Sequence, residues 1–142
     1  MRIGIDLGGT KIEGIILDQA GVVVEKIRIP TPDQEYKRIL YAITAVVSEL
    51  QSRAATRLSV GIGTPGSHSP TSNTMKNCNS INLNGRTLKT DIESQLGYDI
   101  RLENDANCFA LWEAHHGAGT GAHSVFGAIL CTGNCGGVVI YQ

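Results

Sequence analysis

Four stretches of the chain carry side chains suited to work on phosphate or hydroxyl groups. The first is Asp6-Leu7-Gly8-Gly9-Thr10-Lys11. An acidic residue closes an apolar run, and two glycines follow whose amides can turn toward an anion with no Cβ in the way. Thr10 adds a hydroxyl donor. Such a loop suits a polyphosphate, and a carboxylate beside it can hold a phosphate-bound magnesium through water. It is not the Gly-x-x-x-x-Gly-Lys-Ser/Thr loop, which opens a helix, because a strand pattern follows here. A plain Gly-Gly hairpin turn is the competing reading. The second stretch, Cys131-Thr132-Gly133-Asn134-Cys135-Gly136-Gly137, is another glycine-rich turn between apolar runs. Two such turns suggest two loops gripping one polyphosphate from both sides, with a hairpin turn again as the alternative.

The third stretch is Glu103-Asn104-Asp105-Ala106-Asn107. Asp and Asn are ordinary caps at a helix N-terminus, and a carboxylate there is stabilised by the helix dipole. The functional reading makes Asp105 the acceptor of a hydroxyl proton in phosphoryl transfer, where positioning supplies most of the catalysis. The fourth is Gly63-Thr64-Pro65-Gly66 with the Asn-rich segment after it (Asn73, Asn77, Asn79, Asn82, Asn84). Amides such as those of Asn79, Asn84 and Asn104 both donate and accept, as each hydroxyl of a sugar requires. Asn as a turn former is the bland counterpart. His115 and His116 are adjacent, so on a helix they point about 100° apart and do not share a metal as an i, i+4 pair does. They read as a solvated helix end. Phe109, Leu111 and Trp112 read as core, and the four cysteines (78, 108, 131 and 135), with no Cys-x-x-Cys pair, as buried or half-buried free thiols.

Positioning these groups needs a scaffold, and the hydrophobic pattern supplies one. Residues 2–7, 12–17 and 22–29 read as strands in an antiparallel meander, with Asp18-Gln19-Ala20-Gly21 as turn chemistry and Pro30-Thr31-Pro32 as a break. Ile39, Leu40, Ile43, Val46, Val47 and Leu50 recur at three- and four-residue steps, predicting an amphipathic helix over 33–53 capped by Asp33, with Thr31 as its rival. A strand over 58–62, a loop over 67–85 with a short hairpin near 74–76, and a helix opening at Thr90-Asp91 and closing at Gly97 follow. A strand over 100–102, a helix over 107–113 and strands over 125–130 and 138–141 complete a mixed α/β layer architecture.

Composition bounds the classes of function. The chain has 142 residues, the size of one domain. Twelve basic against thirteen acidic residues leave a net charge of −1, which lacks the footprint of a nucleic-acid binder. No apolar run has the length of a membrane span and the N-terminus lacks the apolar region of a signal peptide, so the expected location is cytoplasmic. Glycine is abundant, 17 residues, and grouped at the ends of apolar runs rather than spread as in a linker.

Taken together, these motifs resemble the N-terminal lobe of a ROK-family sugar kinase. The resemblance rests on Ile5-Asp6-Leu7-Gly8-Gly9-Thr10-Lys11-Ile12-Glu13, Pro30-Thr31-Pro32, Val60-Gly61-Ile62-Gly63-Thr64-Pro65-Gly66, Asn79-Ser80 with Leu83-Asn84-Gly85, and Leu102-Glu103-Asn104-Asp105-Ala106-Asn107-Cys108-Phe109-Ala110. Within the family the chain is most similar to bacterial manno(fructo)kinase-type fructokinases and to N-acetylglucosamine kinases. The segment from Asn79 to Gly85 leans toward fructokinase. The resemblance implies an actin-like ATPase (ribonuclease H-like) lobe, a mixed sheet with flanking helices, and a second lobe facing it. It implies ATP with Mg2+ as donor and the 6-hydroxyl of a hexose as acceptor. Asp105 would then be the base, and Gly66, Asn79, Asn84 and Asn104 would hold sugar. Gly8, Gly9, Thr10 and Lys11, with Thr132, Gly133, Gly136 and Gly137, would face phosphate, and Asp6 would sit near the magnesium.

The family continues for about another 150 residues, with a His/Cys zinc site, so residues 1–142 read as one lobe and zinc is expected only in a second. The family's second phosphate loop reads Gly-Thr-Gly-x-Gly-Gly-Gly, and here Cys131 and Cys135 replace two of those glycines. A Cβ where backbone must approach phosphate costs on the order of 1 kcal/mol or more. A lobe without its partner leaves apolar surface open, so self-association is expected.

Overall fold

The computed structural model describes residues 1–32, 35–78, 82–130 and 134–140. The cap expected at Asp33, the sugar contact expected at Asn79, and Cys131, Thr132 and Gly133 of the second glycine segment lie outside the described residues. The chain divides into two compact units, Met1–Leu102 and Glu103–Gln142.

The first unit is organised around a five-stranded sheet. β1 (Arg2–Leu7), β2 (Lys11–Leu17) and β3 (Val23–Pro30) form the antiparallel meander, and β4 (Ser59–Thr64) adds to β1 in parallel. The order is β3-β2-β1-β4-β7, with β7 (Arg101–Asn104) carrying the chain out of the unit. Period-2 burial explains the sheet's two faces: Ile3, Ile5 and Leu7 of β1 and Ile12, Gly14 and Ile16 of β2 point to the core, while Asp6, Lys11 and Glu13 point away from it. The other flank of the core is α1 (Tyr36–Ser52), whose Ile39, Leu40, Ile43, Val46, Val47 and Leu50 are all buried, at the spacing the sequence predicts. Gly14 lets this helix come close, since a Cβ there would lie 2.6 Å from a Val46 methyl. α1 starts later than expected and its N-cap, Glu35, makes no side-chain cap bond. Its first turn is instead anchored by Tyr36, whose hydroxyl donates to Asp91.

Asp91 sits in α2 (Leu88–Leu96), which has Thr87 as its N-cap and so opens earlier than the expected Thr90, burying Leu88 and Ile92. It ends as expected at Gly97, whose φ of 77° is the left-handed conformation glycine adopts most readily. Between β4 and α2, β5 (Ser67–Ser69) and β6 (Thr74–Lys76) form the small hairpin expected near 74–76. Asn73 and Asn77 hold left-handed φ of 54° and 58°, conformations in which asparagine is enriched.

The second unit is a helix on a hairpin. α3 (Asp105–His116) begins two residues earlier than the sequence pattern suggests, because Asn104 caps it. β8 (Ser124–Leu130) and β9 (Asn134–Ile140) pair antiparallel, with Gly127 opposite Gly137. Three sequence expectations are corrected here. Gly136 and Gly137 belong to β9 and pair with Ala128 and Gly127, so the second glycine segment is not a turn throughout. Phe109, Leu111 and Trp112 are exposed, because α3 buries small residues, Ala106, Ala110 and Ala114, against the hairpin. Cys78 is buried but Cys108 is exposed. Among the described residues, no helix is long and apolar enough to cross a membrane.

Candidate active site

The Gly8-Gly9-Thr10-Lys11 segment is the tip of the β1–β2 hairpin. Leu7 faces Ile12 across the last strand pair, and the Gly8 amide donates to the Lys11 carbonyl at 2.9 Å. A Cβ on Gly8 would lie 3.1 Å from that carbonyl oxygen, so a larger residue would push the tip open. Gly9 and Thr10 are exposed, and among the described residues no acceptor meets their amides. Two such backbone donors and a hydroxyl on a tight turn are the kinds of group that an anion-binding concavity uses. Asp6 stands on the open face of β1, opposite Glu13 of β2 and Gly63 of β4.

Glu13 on that same face gathers three cations. Lys26 Nζ lies 2.9 Å from Oε1, Arg28 Nη2 2.5 Å from Oε2, and Lys11 Nζ 3.9 Å from Oε2. The hydrogen bonds from Lys26 and Arg28 hold the Glu13 carboxyl below the usual carboxylate range, outweighing its partial burial. Sequence reading passed over this carboxylate; its register opposite Arg28 on the neighbouring strand was the available signal.

Gly66 is a site of close packing. A Cβ there would come 2.2 Å from Cys78 Sγ and 2.6 Å from the Lys76 carbonyl oxygen, and the Thr64 hydroxyl donates to the Gly66 carbonyl at 3.0 Å. Burial pushes the Cys78 thiol up in pKa, so this sulfur packs rather than reacts. Asn84 spends both ends of its amide on one neighbour: Oδ1 accepts from the Cys78 amide at 2.8 Å and Nδ2 donates to the Cys78 carbonyl at 3.0 Å. It clamps the chain immediately before Asn79, and Met75 fastens the same segment through bonds to the Arg86 carbonyl and the Gly85 amide.

In the second unit, Asn104 caps α3. Its Oδ1 accepts from the Ala106 amide at 3.0 Å and the Asn107 amide at 3.4 Å. Asp105 is the first helical residue; its Oδ1 accepts from the Ala106 amide at 2.7 Å, while no group among the described residues bonds its Oδ2. The carboxylate is thus tethered by one oxygen, at the end of the helix where the dipole stabilises negative charge. Glu103 steadies the same turn by accepting from the Asn104 amide and the Asn107 side chain. Gly137 is buried and pressed on this turn: a Cβ there would lie 2.1 Å from the Ala106 carbonyl oxygen. His115 and His116 occupy the last turn, where Trp112 stacks on His116 with ring centroids 4.4 Å apart. Among the described residues no three metal-ligating side chains cluster.

The family model described as the ROK family matches residues 2–142. The chain is 39% identical over 140 residues to an N-acetyl-D-glucosamine kinase from Salmonella gallinarum, an alignment covering 99% of this chain and 46% of that protein. Its fold matches a ROK family glucokinase from Streptomyces griseus, solved in complex with glucose and AMPPNP, with a TM-score of 0.85 and 33% identity over 98% of this chain and 44% of that one. A ROK hexokinase from Thermus thermophilus follows at a TM-score of 0.80 and 30% identity, covering 98% of this chain and 46% of that one. The chain thus spans about half the length of the relatives it matches, and its mixed sheet with flanking helices is that of an actin-like ATPase lobe.

Proposed function

The chain belongs to the ROK family, and from that premise we propose that residues 1–142 supply one lobe of an ATP-dependent hexose kinase acting on the 6-hydroxyl. The observation that carries the reading is Asp105, with Oδ1 tethered to the Ala106 amide and Oδ2 bonded by no group among the described residues. A carboxylate fixed in this way can accept the proton of a sugar hydroxyl as that oxygen attacks the γ-phosphate. Asn104, Gly66 and the Asn79 and Asn84 region hold the sugar, with Asn84 acting through its clamp on Cys78. The Gly9 and Thr10 amides, with Lys11, take phosphate. Thr132, Gly133 and Gly136 are assigned to phosphate as well, and Gly137 contributes by packing on α3.

Asp6 and the Thr10 hydroxyl are hard oxygen donors of the kind magnesium prefers, so they fit a metal carried mainly by the nucleotide's phosphates and by water. Bound there, the ion would neutralise charge on the transferring group. Zinc belongs to residues outside this chain. The same reading keeps the protein in the cytoplasm, with ATP and hexose as its small-molecule partners.

Fructose is the substrate suggested by Asn79-Ser80 and Leu83-Asn84-Gly85; N-acetylglucosamine is favoured by the 39% identity to the Salmonella kinase. A coupled assay with MgATP and fructose, mannose, glucose or N-acetylglucosamine separates them. The 142-residue chain alone is expected to turn over none of them at a useful rate, because lobe closure completes the donor site and excludes water. In a chain long enough to supply both lobes, Asp105→Asn lowers kcat by about 100- to 10,000-fold. Robust turnover by the 142-residue chain contradicts the one-lobe reading, and an active Asp105→Asn enzyme removes the base assignment.

A further inference from the structure

We infer that Thr31 is a positioning residue for the phosphate-facing hairpin tip, an inference that rests on the phosphate reading of that tip. Thr31 follows the last residue of β3 and reaches across to the β1–β2 turn twice. Its hydroxyl donates to the Gly8 carbonyl at 2.7 Å, and its amide donates to the Thr10 carbonyl at 3.0 Å. Each bond fixes a peptide plane. No peptide bond here is cis, so the N–H that follows each carbonyl points the opposite way. Holding the Gly8 oxygen therefore aims the Gly9 amide, and holding the Thr10 oxygen aims the Lys11 amide. Thr31 grips the tip by its acceptors and so fixes the directions of the two donors that follow them.

The neighbours of Thr31 enforce this role. Pro30 and Pro32 have no amide hydrogen, so Thr31 carries the one backbone donor of the tripeptide. A following proline also keeps Thr31 extended, which continues the direction of β3 past the point where Pro30 pairs with Lys11. The tripeptide breaks the sheet ladder and at the same time ties its loose end to the glycine turn. Holding the donors in place before the anion arrives removes an ordering cost from binding.

The test compares the wild-type chain, Thr31→Ser and Thr31→Val by NMR. Two readouts are followed at Gly9, Thr10 and Lys11: backbone order without ligand, and shifts on titration with MgATP or inorganic tripolyphosphate. Amides of Ile3 and Ile12 report whether each variant is folded. In Thr31→Val, which keeps shape but not hydroxyl, the tip loses order and polyphosphate affinity falls about tenfold, equivalent to about one lost hydrogen bond. Thr31→Ser keeps both properties near wild type. If folded Thr31→Val binds as tightly as wild type, the positioning role is overturned while the phosphate reading stands. If the wild-type tip shifts with neither ligand, the phosphate reading fails and the positioning role falls with it, whatever the order measurements show.

Discussion

At the scale of single residues, glycine does two different jobs that composition alone cannot separate. Gly9 presents an amide with no acceptor among the described residues; Gly66 makes room for Cys78 and the Lys76 carbonyl. Gly66→Ala forces a methyl to within 2.2 Å of the Cys78 sulfur, and overpacking of that kind costs about 1–3 kcal/mol. A urea unfolding curve should show the midpoint falling by a matching amount, and Gly66→Ala with Cys78→Ala should recover part of it. An unchanged midpoint for Gly66→Ala would refute the close packing. Asn84 makes a similar point. Its residue type suits a sugar, but only coordinates reveal that both ends of its amide are taken up by Cys78.

Secondary-structure elements were legible where side chains of one size repeat. α1 declares itself because large apolar residues recur at helical spacing and all are buried, and the β1–β2–β3 meander because strand alternation is interrupted by turn residues. α3 misleads for the opposite reason. Its buried stripe is alanine and its large apolar residues are exposed, so a reading weighted by hydrophobicity selects the wrong face. β9 hides because glycines erase the alternation of its first half. The β2–β3 ladder carries a pH dependence of its own. The folded Glu13 carboxyl titrates below its unfolded value, so its contribution to stability is present above the usual carboxylate range and lost as pH falls through the folded value. Lys26 and Arg28 are about half exposed, at 51% and 55%, and screening limits the contribution to about 0.5–1 kcal/mol. Glu13→Gln should therefore be less stable than wild type by that amount near neutral pH, with the two urea midpoints converging in acid. A gap that persists at low pH would show that packing, not charge, is responsible.

At the scale of the molecule, the second unit leaves one side of its hairpin without cover. Phe126, Val138 and Ile140 share that side and are 70%, 55% and 67% exposed. An apolar cluster of this kind on a small unit favours association. Light scattering of the 142-residue chain should show mass rising with concentration, and Phe126→Glu should return it toward the monomer; a monodisperse wild-type monomer would rule the cluster out as a contact. The opposite side of the hairpin is packed as tightly as backbone allows. Gly127 and Gly137 bring β8 and β9 against Ala110 and Ala106, and Ala106 directly follows Asp105. At these two positions the strands themselves put no side chain between hairpin and helix, so the two are held together as one body. On the reading proposed above, Asp105 as proton acceptor and the glycine strand would travel together through any lobe closure, neither reaching the reactants without the other.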